Sequence, residues 1–325
     1  MIALLSVVLK WIAVMFRNPA PRRWKEVDTG IGRGFWEQDV AMGEEGERRP
    51  IREDLSGEEI RDFYQWQGQA GNHQKEMYEP SNAFANWWQN KRRAIVETLV
   101  KQHNGSSLLD VGCAEGLYVR FLSGNRKVSM GMDISQPKLM RAKSHGENAE
   151  SACFVLADAC RLPFKDNSFD MVICVDVIRY LADPVEAASE IFRVSRKYVI
   201  VQSATSSGIM SPLRFVSLRW FRRHHESVRA EFSSAPFEGA LWYVSSRLLT
   251  HLNRYAGQNY SCSKVIGHFS ALIEFLHLLL PFKGNDRLLK SFVRLADKVD
   301  SYLGENRLGR YLGVFTTVLF EKEGG

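Results

Sequence analysis

The chain has 325 residues, 45% hydrophobic and 25% charged, an ordinary globular composition. Its 43 Lys and Arg against 37 Asp and Glu give a net charge of +6 and a pI near 9.0, a mild basic bias compatible with anionic membranes, phosphorylated substrates or RNA and diagnostic of none of them. Five cysteines, Cys113, Cys153, Cys160, Cys174 and Cys262, form no CxxC pair, which argues against a disulfide framework or zinc knuckle and for a reducing compartment.

The first segment, "MIALLSVVLKWIAVMF", is apolar apart from Ser6 and Lys10, and Arg17, Arg22, Arg23 and Lys25 follow it. It is shorter than the roughly 20 residues of a spanning helix, and no small-residue cleavage site follows as in a signal peptide. Ser6, Lys10 and Arg17 share one narrow helical stripe, which suits a helix lying in a membrane interface. A tilted span and a helix docked on the protein's own core stay open beside it. In a span, the basic cluster would keep the remaining chain cytoplasmic. Residues 1–25 are thus read as an apolar N-terminal helix, with residues 1–17 the candidate anchor to the cytoplasmic face of a membrane.

Residues 26–55 are polar and glycine-rich without periodicity, as in a linker or arm. Ser56 and Glu59 then form a capping-box pattern. Two helices are expected in 56–100, on either side of "YEPSN", rich in aromatics such as Phe63, Tyr64, Trp66, Trp87 and Trp88. They read equally well as core packing or as a helical lid over a substrate pocket. From 107 to 203, short β-rich runs (107–111, 128–132, 153–157, 170–175, 198–202) alternate with helical stretches (117–123, 136–144, 184–194). Several of the runs are apolar on both faces, as buried parallel strands are. The alternation predicts an α/β fold, a doubly wound and mostly parallel sheet. Beyond it lie a basic, aromatic segment at 211–232, a helix ending at Gly257, a strand in "YSCSKVIG" and a hydrophobic stretch after His268. A second amphipathic helix over about 285–303 and a final strand in "YLGVFTTVLFEKE" complete the chain. Residues 56–325 are read as one domain, with insertions at 206–240 and 269–310.

"SLLDVGCAEGLYVRFL" reads as strand, turn and helix start. Gly112 allows the tight turn, and Gly116 removes a Cβ where a ligand would touch the helix start. Asp110 brings a carboxylate to the strand end, where ligands of parallel sheets sit. The spacing is D-x-G-x-x-x-G, not the G-x-G-x-x-G of dinucleotide folds, and an acid beside the loop suits a cationic ligand better than a pyrophosphate. Asp133 ends the second strand, 17 residues after Gly116; an acid there can accept both hydroxyls of a ribose, or can cap the following helix. Asp158 ends the third strand and can accept an exocyclic amine.

These landmarks, with "DACRLPFKDNSFD" after them, resemble the class I S-adenosylmethionine-dependent methyltransferases, most nearly the ubiquinone/menaquinone-biosynthesis type. The resemblance covers Ser107 to Gln202 closely and the C-terminal part loosely. It implies a seven-stranded Rossmann-like sheet and S-adenosylmethionine as cofactor. It also implies that Asp110, Gly112, Cys113, Ala114 and Gly116 surround the methionine part, and that Asp133 holds the ribose. Met132 or Ile134 would pack on the adenine, Asp158 and Ala159 would read its edge, and Cys174 and Val175 would lie under the sulfonium. Two departures stand out: Ala114 where relatives often carry Gly, and Arg179-Tyr180 where they often carry Glu-His. Asp176 and Tyr180 follow the fourth strand and are the candidate catalytic groups. No spacing makes the later histidines metal ligands. The apolar N-terminus, the 211–232 segment and the hydrophobic insertion point to a small, lipophilic or quinone-like acceptor and to peripheral membrane association. An RNA or protein methyltransferase is the alternative enzyme. Against it, the chain has neither an N-P-P-[YF] motif after the fourth strand nor a Pro-Cys pair, which argues against a nucleic-acid partner. An inactive cofactor-binding subunit is the non-enzyme alternative.

Overall fold

The computed structural model describes residues 57–70, 74, 83–103, 105–124, 126–144, 152–181, 183–204, 252–253, 256–268, 291, 294–295, 297–298 and 315–323. All of them belong to one compact unit formed by residues 53–221 and 239–325. The expectations for residues 1–55, for the 211–232 segment and for most of 269–310 lie outside the described residues.

Two helices come first, α1 (Gly57–Ala70) and α2 (Ala83–Gln102). Strands and helices then alternate: β1 (Ser107–Val111), α3 (Leu117–Leu122), β2 (Val128–Asp133), α4 (Gln136–Ser144), β3 (Ala152–Leu156) and β4 (Phe169–Val175). A 3₁₀ turn at Ile178–Tyr180, α5 (Pro184–Val194), β5 (Ser195–Ala204), β6 (Tyr260–His268) and β7 (Phe315–Lys322) follow. The sheet has seven strands in the order β3-β2-β1-β4-β5-β7-β6. The first five are parallel, and β7 runs antiparallel between β5 and β6. The expected doubly wound, mostly parallel sheet is therefore the fold.

β4 explains why the strands read as unbroken apolar runs. All seven of its residues are buried, because it pairs on both edges and is covered on both faces. Its alternating side chains divide between two cores. Val172 and Cys174 join Leu109, Val111, Val199 and Val201 against Ala187, Ala188, Ile191 and Phe192 of α5. Met171, Ile173 and Val175 join Leu108 and Ile200 against Val96, Leu99 and Val100 of α2 and Tyr118 of α3. The start of α5 was legible from local chemistry: Asp183 Oδ1 accepts from Val185 N and Glu186 N, each at 3.0 Å, with Pro184 opening the helix.

The sheet order reverses between β1 and β4, the two strands that leave in opposite directions along the sheet. In open parallel sheets a crevice for ligands lies there, beyond the carboxyl ends of the strands.

Candidate functional site

Three residues of the turn after β1 need left-handed backbone: Gly112 (φ 75°), Ala114 (φ 47°) and Gly116 (φ 77°). The amides of Gly112 and Cys113 both donate to the Met132 carbonyl, at 2.8 and 2.9 Å. A Cβ at Gly112 would lie 2.3 Å from Val177 Cγ2, so the absent side chain lets the segment after β4 close over the turn. Gly116 differs from the sequence expectation. A Cβ there would meet the Phe154 ring at 2.6 Å and Ala142 at 3.2 Å. The glycine makes room for a phenyl ring of β3 and for α4, where a ligand contact was expected.

Asp133 is nine-tenths buried and ties the two turns together. Its Oδ2 accepts from Ala114 N and its Oδ1 from Ser135 N, both at 2.8 Å. It fixes the strained Ala114 backbone and also caps its own turn. Burial pushes its carboxyl up, against the opposing pull of Lys138 and of these two amides.

Asp110 differs from its neighbour. It is buried at 2% exposure at the end of β1, and its Oδ2 accepts no hydrogen bond. Burial, and secondarily the Asp133 charge, push its carboxyl up to about 8. A buried carboxyl oxygen without a donor is costly. A ligand bearing a positive charge or an N–H would remove that cost. The cationic, amine-bearing S-adenosylmethionine fits this donor-poor, acid-rich corner, and a pyrophosphate does not.

The other expected cofactor residues converge on the same end of the sheet. Met132 and Cys174 are fully buried in β2 and β4, the two neighbours of β1, Val175 and Ala159 are nearly so, and Ile134 is half-buried at the turn into α4. Burial, then the Asp110 charge, push the Cys174 thiol up to about 12, which keeps it protonated. Asp158 Oδ1 accepts from Cys160 N at 2.9 Å, which orders the turn carrying Ala159.

Asp176 follows β4 with φ 61°, a conformation strained for a residue with a side chain. Its amide donates to the Gln202 carbonyl at 2.7 Å. Its Oδ2 lies 2.7 Å from the Arg92 guanidinium of α2, itself only 2% exposed. Arg92 in turn donates to Gln89 at 2.9 Å and stacks on the Phe315 ring at 3.7 Å. Asp176, expected to serve as a catalytic group, is thus bound into an ion pair. Tyr180 closes the 3₁₀ turn with its amide on Val177 O at 2.8 Å, its side chain half-buried.

Sequence reasoning missed Arg92, and it missed two glutamines, Gln74 and Gln65, which bond to the turns after β1 and β2. None of the three belongs to a recognisable motif, and their partners lie 39 to 84 residues away.

Residues 109–201 match the family model of the methyltransferase domain. The chain is similar to 24-methylenesterol C-methyltransferase 3 of Arabidopsis thaliana, 31% identical over 102 residues, which cover 30% of this chain and 28% of the plant protein. It is similar to demethylmenaquinone methyltransferase of Staphylococcus epidermidis, 31% identical over 143 residues, covering 42% of this chain and 59% of the relative. Malonyl-[acyl-carrier protein] O-methyltransferase of a Marinomonas species is 31% identical over 137 residues, covering 40% and 49%. The chain therefore spans between 28% and 59% of the length of these relatives. Among solved structures, magnesium protoporphyrin IX methyltransferase from Synechocystis aligns over 81% of this chain and 97% of its own, with 15% identity and a TM-score of 0.48. With its sheet order, its strand-end acids and the family match over residues 109–201, this chain carries in that span a domain similar to the class I S-adenosylmethionine-dependent methyltransferases.

Proposed function

We propose that the protein transfers a methyl group from S-adenosylmethionine to a small, lipophilic acceptor. The observation that carries the reading is Asp110, a buried carboxyl with an unpartnered oxygen at the β1/β4 switch point. When bound, the cofactor supplies an electrophilic methyl group on a cationic sulfur. Asp110 meets the positive charge or the amine of that ligand. Asp133 keeps Ala114 in its left-handed conformation and offers its remaining lone pairs to the ribose hydroxyls. Met132, Ile134, Ala159 and Val175 wall the crevice and keep water from it, with Asp158 at the adenine edge.

In-line displacement depends chiefly on how the acceptor is held. A base is needed only where the reacting atom carries a proton. Asp176, paired with Arg92, orients the segment after β4; Tyr180, on the 3₁₀ turn that follows, is the residue proposed to contact the acceptor. The lipophilic character of that acceptor is supported by the apolar residues 1–17 and by two relatives whose names specify sterol and menaquinone methylation. Residues 1–17 would hold the chain at the membrane as a peripheral protein. Among the described residues no helix is long and apolar enough to cross a membrane.

The test is incubation of the full chain with methyl-labelled S-adenosylmethionine and a cell extract, followed by separation of lipid, nucleic acid and protein. Label in the organic phase is expected. Label in RNA or protein instead removes the lipophilic acceptor, and absence of cofactor binding removes the whole reading. The same extract, fractionated, tests the anchor: the full chain is expected with the membranes, and residues 18–325 without them.

A further inference from the structure

Two glutamines from the region before β1 enter the two turns of the site in the same manner. Gln74 Nε2 donates to the Cys113 carbonyl at 3.0 Å, and its Oε1 accepts from Leu117 N at 3.0 Å. Gln65 Nε2 donates to the Ile134 carbonyl at 3.1 Å, and its Oε1 accepts from Gln136 N at 3.2 Å. Leu117 and Gln136 are the first residues of α3 and α4. The opening N–H groups of a helix have no partner within it, and Gly116, the residue before α3, offers no side chain to cap it. Each glutamine amide therefore stands in for a missing peptide group. It ties a carbonyl of the turn to the first N–H of the helix that follows.

These bonds belong to a longer seam. Ser135 Oγ donates to the Tyr64 carbonyl at 2.8 Å, and Lys138 Nζ donates to Gln67 Oε1 at 2.7 Å. Gln74 N donates to Glu115 Oε2 at 3.2 Å. Apolar burial contributes little to the attachment of α1. Ile60 is its one buried apolar side chain among the described residues, while Trp66 is 50% exposed. Gly68 lets the helix come close to Ser135 and Pro137. An element held by hydrogen bonds more than by apolar contact sits at the low-stability end of a fold. Its docking then depends on the conformation of the groups it bonds to, which here are the backbone of the candidate cofactor turns.

We infer that Gln65 and Gln74 are positioning residues of the cofactor site, clipping α1 and Gln74 itself onto the turns after β1 and β2 so that docking of this part of the chain and binding of the cofactor reinforce each other. The inference rests on the proposed cofactor. Any ligand that favours the clipped turns must, by linkage, favour the docked segment to the same extent.

The experiment uses the full chain with Gln74→Met and Gln65→Met, singly and together. These keep most of the side-chain length and remove the donor and acceptor. S-adenosylhomocysteine is the probe, titrated by calorimetry, and hydrogen exchange of residues 57–70 and 113–117 is followed with and without it. Each single variant is expected to raise the dissociation constant about tenfold, the scale of one or two lost hydrogen bonds. In the wild type the probe is expected to slow exchange in 57–70, and in the double variant that protection is lost. A merely structural role would lower the melting temperature without making exchange in 57–70 depend on the probe. Dissociation constants within twofold of wild type, or exchange in 57–70 that ignores the probe, overturn the inference. If the methionine variants do not fold, the wild-type exchange measurement decides alone. A wild type that does not bind S-adenosylhomocysteine removes the proposed function itself, a result distinct from binding that the glutamines do not affect.

Discussion

Asp110→Asn removes a titratable group without changing the shape of the side chain, and its two effects have opposite signs. In the wild type, burial and the Asp133 charge push the carboxyl up to about 8, whereas an aspartate in an unfolded chain titrates near pH 4 (about 3.9). Between those values the folded chain holds a proton that the unfolded chain has released. Rising pH therefore works against the fold: the contribution of this group is fully present below about pH 4, falls until about pH 8 and is flat above. The slope is about 1.4 kcal/mol per pH unit, on the order of 5 kcal/mol across the window. Asparagine binds no proton, so the variant lacks that slope. Urea unfolding of ligand-free protein between about pH 5 and 8 should show the wild type losing about 1.4 kcal/mol per pH unit more than Asp110→Asn. Cofactor affinity should move the other way. It should tighten in the wild type as pH rises towards 8, because the carboxylate form receives the cation. In the variant it should be weaker by about tenfold or more, the loss of a charge-assisted contact. Equal unfolding slopes would refute the burial argument, and undiminished affinity would remove Asp110 from the site.

Gly112→Ala should destabilise the chain by about 1–3 kcal/mol, because the new methyl meets Val177 and the backbone stays at φ 75°. Adding Val177→Ala should recover the steric part and leave the backbone part, which thermal melts of Gly112→Ala, Val177→Ala and the double variant can separate; no recovery would place the strain elsewhere. Arg92→Met should cost about 3–5 kcal/mol by stripping Asp176 of its guanidinium. Arg92→Met combined with Asp176→Asn should cost less than Arg92→Met alone, and denaturant unfolding that shows no such relief would contradict the pairing.

Much of the sheet was legible in the sequence because its information is local. Strands buried on both faces leave continuous runs such as Phe169–Val175, and α4 and α5 begin at or beside a proline after a strand-end turn. The strand-end acids were legible for the same reason: a carboxylate closing an apolar run has to meet a turn amide or a ligand. What stayed hidden is long-range and polar. Gln65 and Gln74 lie in a region whose aromatics suggested either core or lid, and an amide gives no periodic signal of its partner. Arg92 lies in the same region, in the run Lys91-Arg92-Arg93, where nothing in the sequence separates it from its neighbours, yet it is the buried counter-charge of Asp176. Gly116 shows the same limit. Its need for glycine was correctly read, but the neighbour that imposes it, Phe154, comes from a strand 38 residues later.

The position of β7 has a consequence for biosynthesis. It pairs with β5 along one edge and β6 along the other, yet roughly 110 residues separate the end of β5 at Ala204 from its first residue, Phe315. At ribosomal speeds of about 5–20 residues per second, β5 waits on the order of ten seconds for its neighbour. Through that interval its outer edge presents unpaired N–H and C=O groups flanked by Val199, Ile200 and Val201, a template for strand pairing with other nascent chains. The Phe315 ring that stacks on Arg92 arrives with the same strand. Until then the Arg92 guanidinium lacks that stacking partner, so the Arg92–Asp176 pair completes its surroundings later in synthesis than the turns after β1 and β2, which precede β5 in the chain.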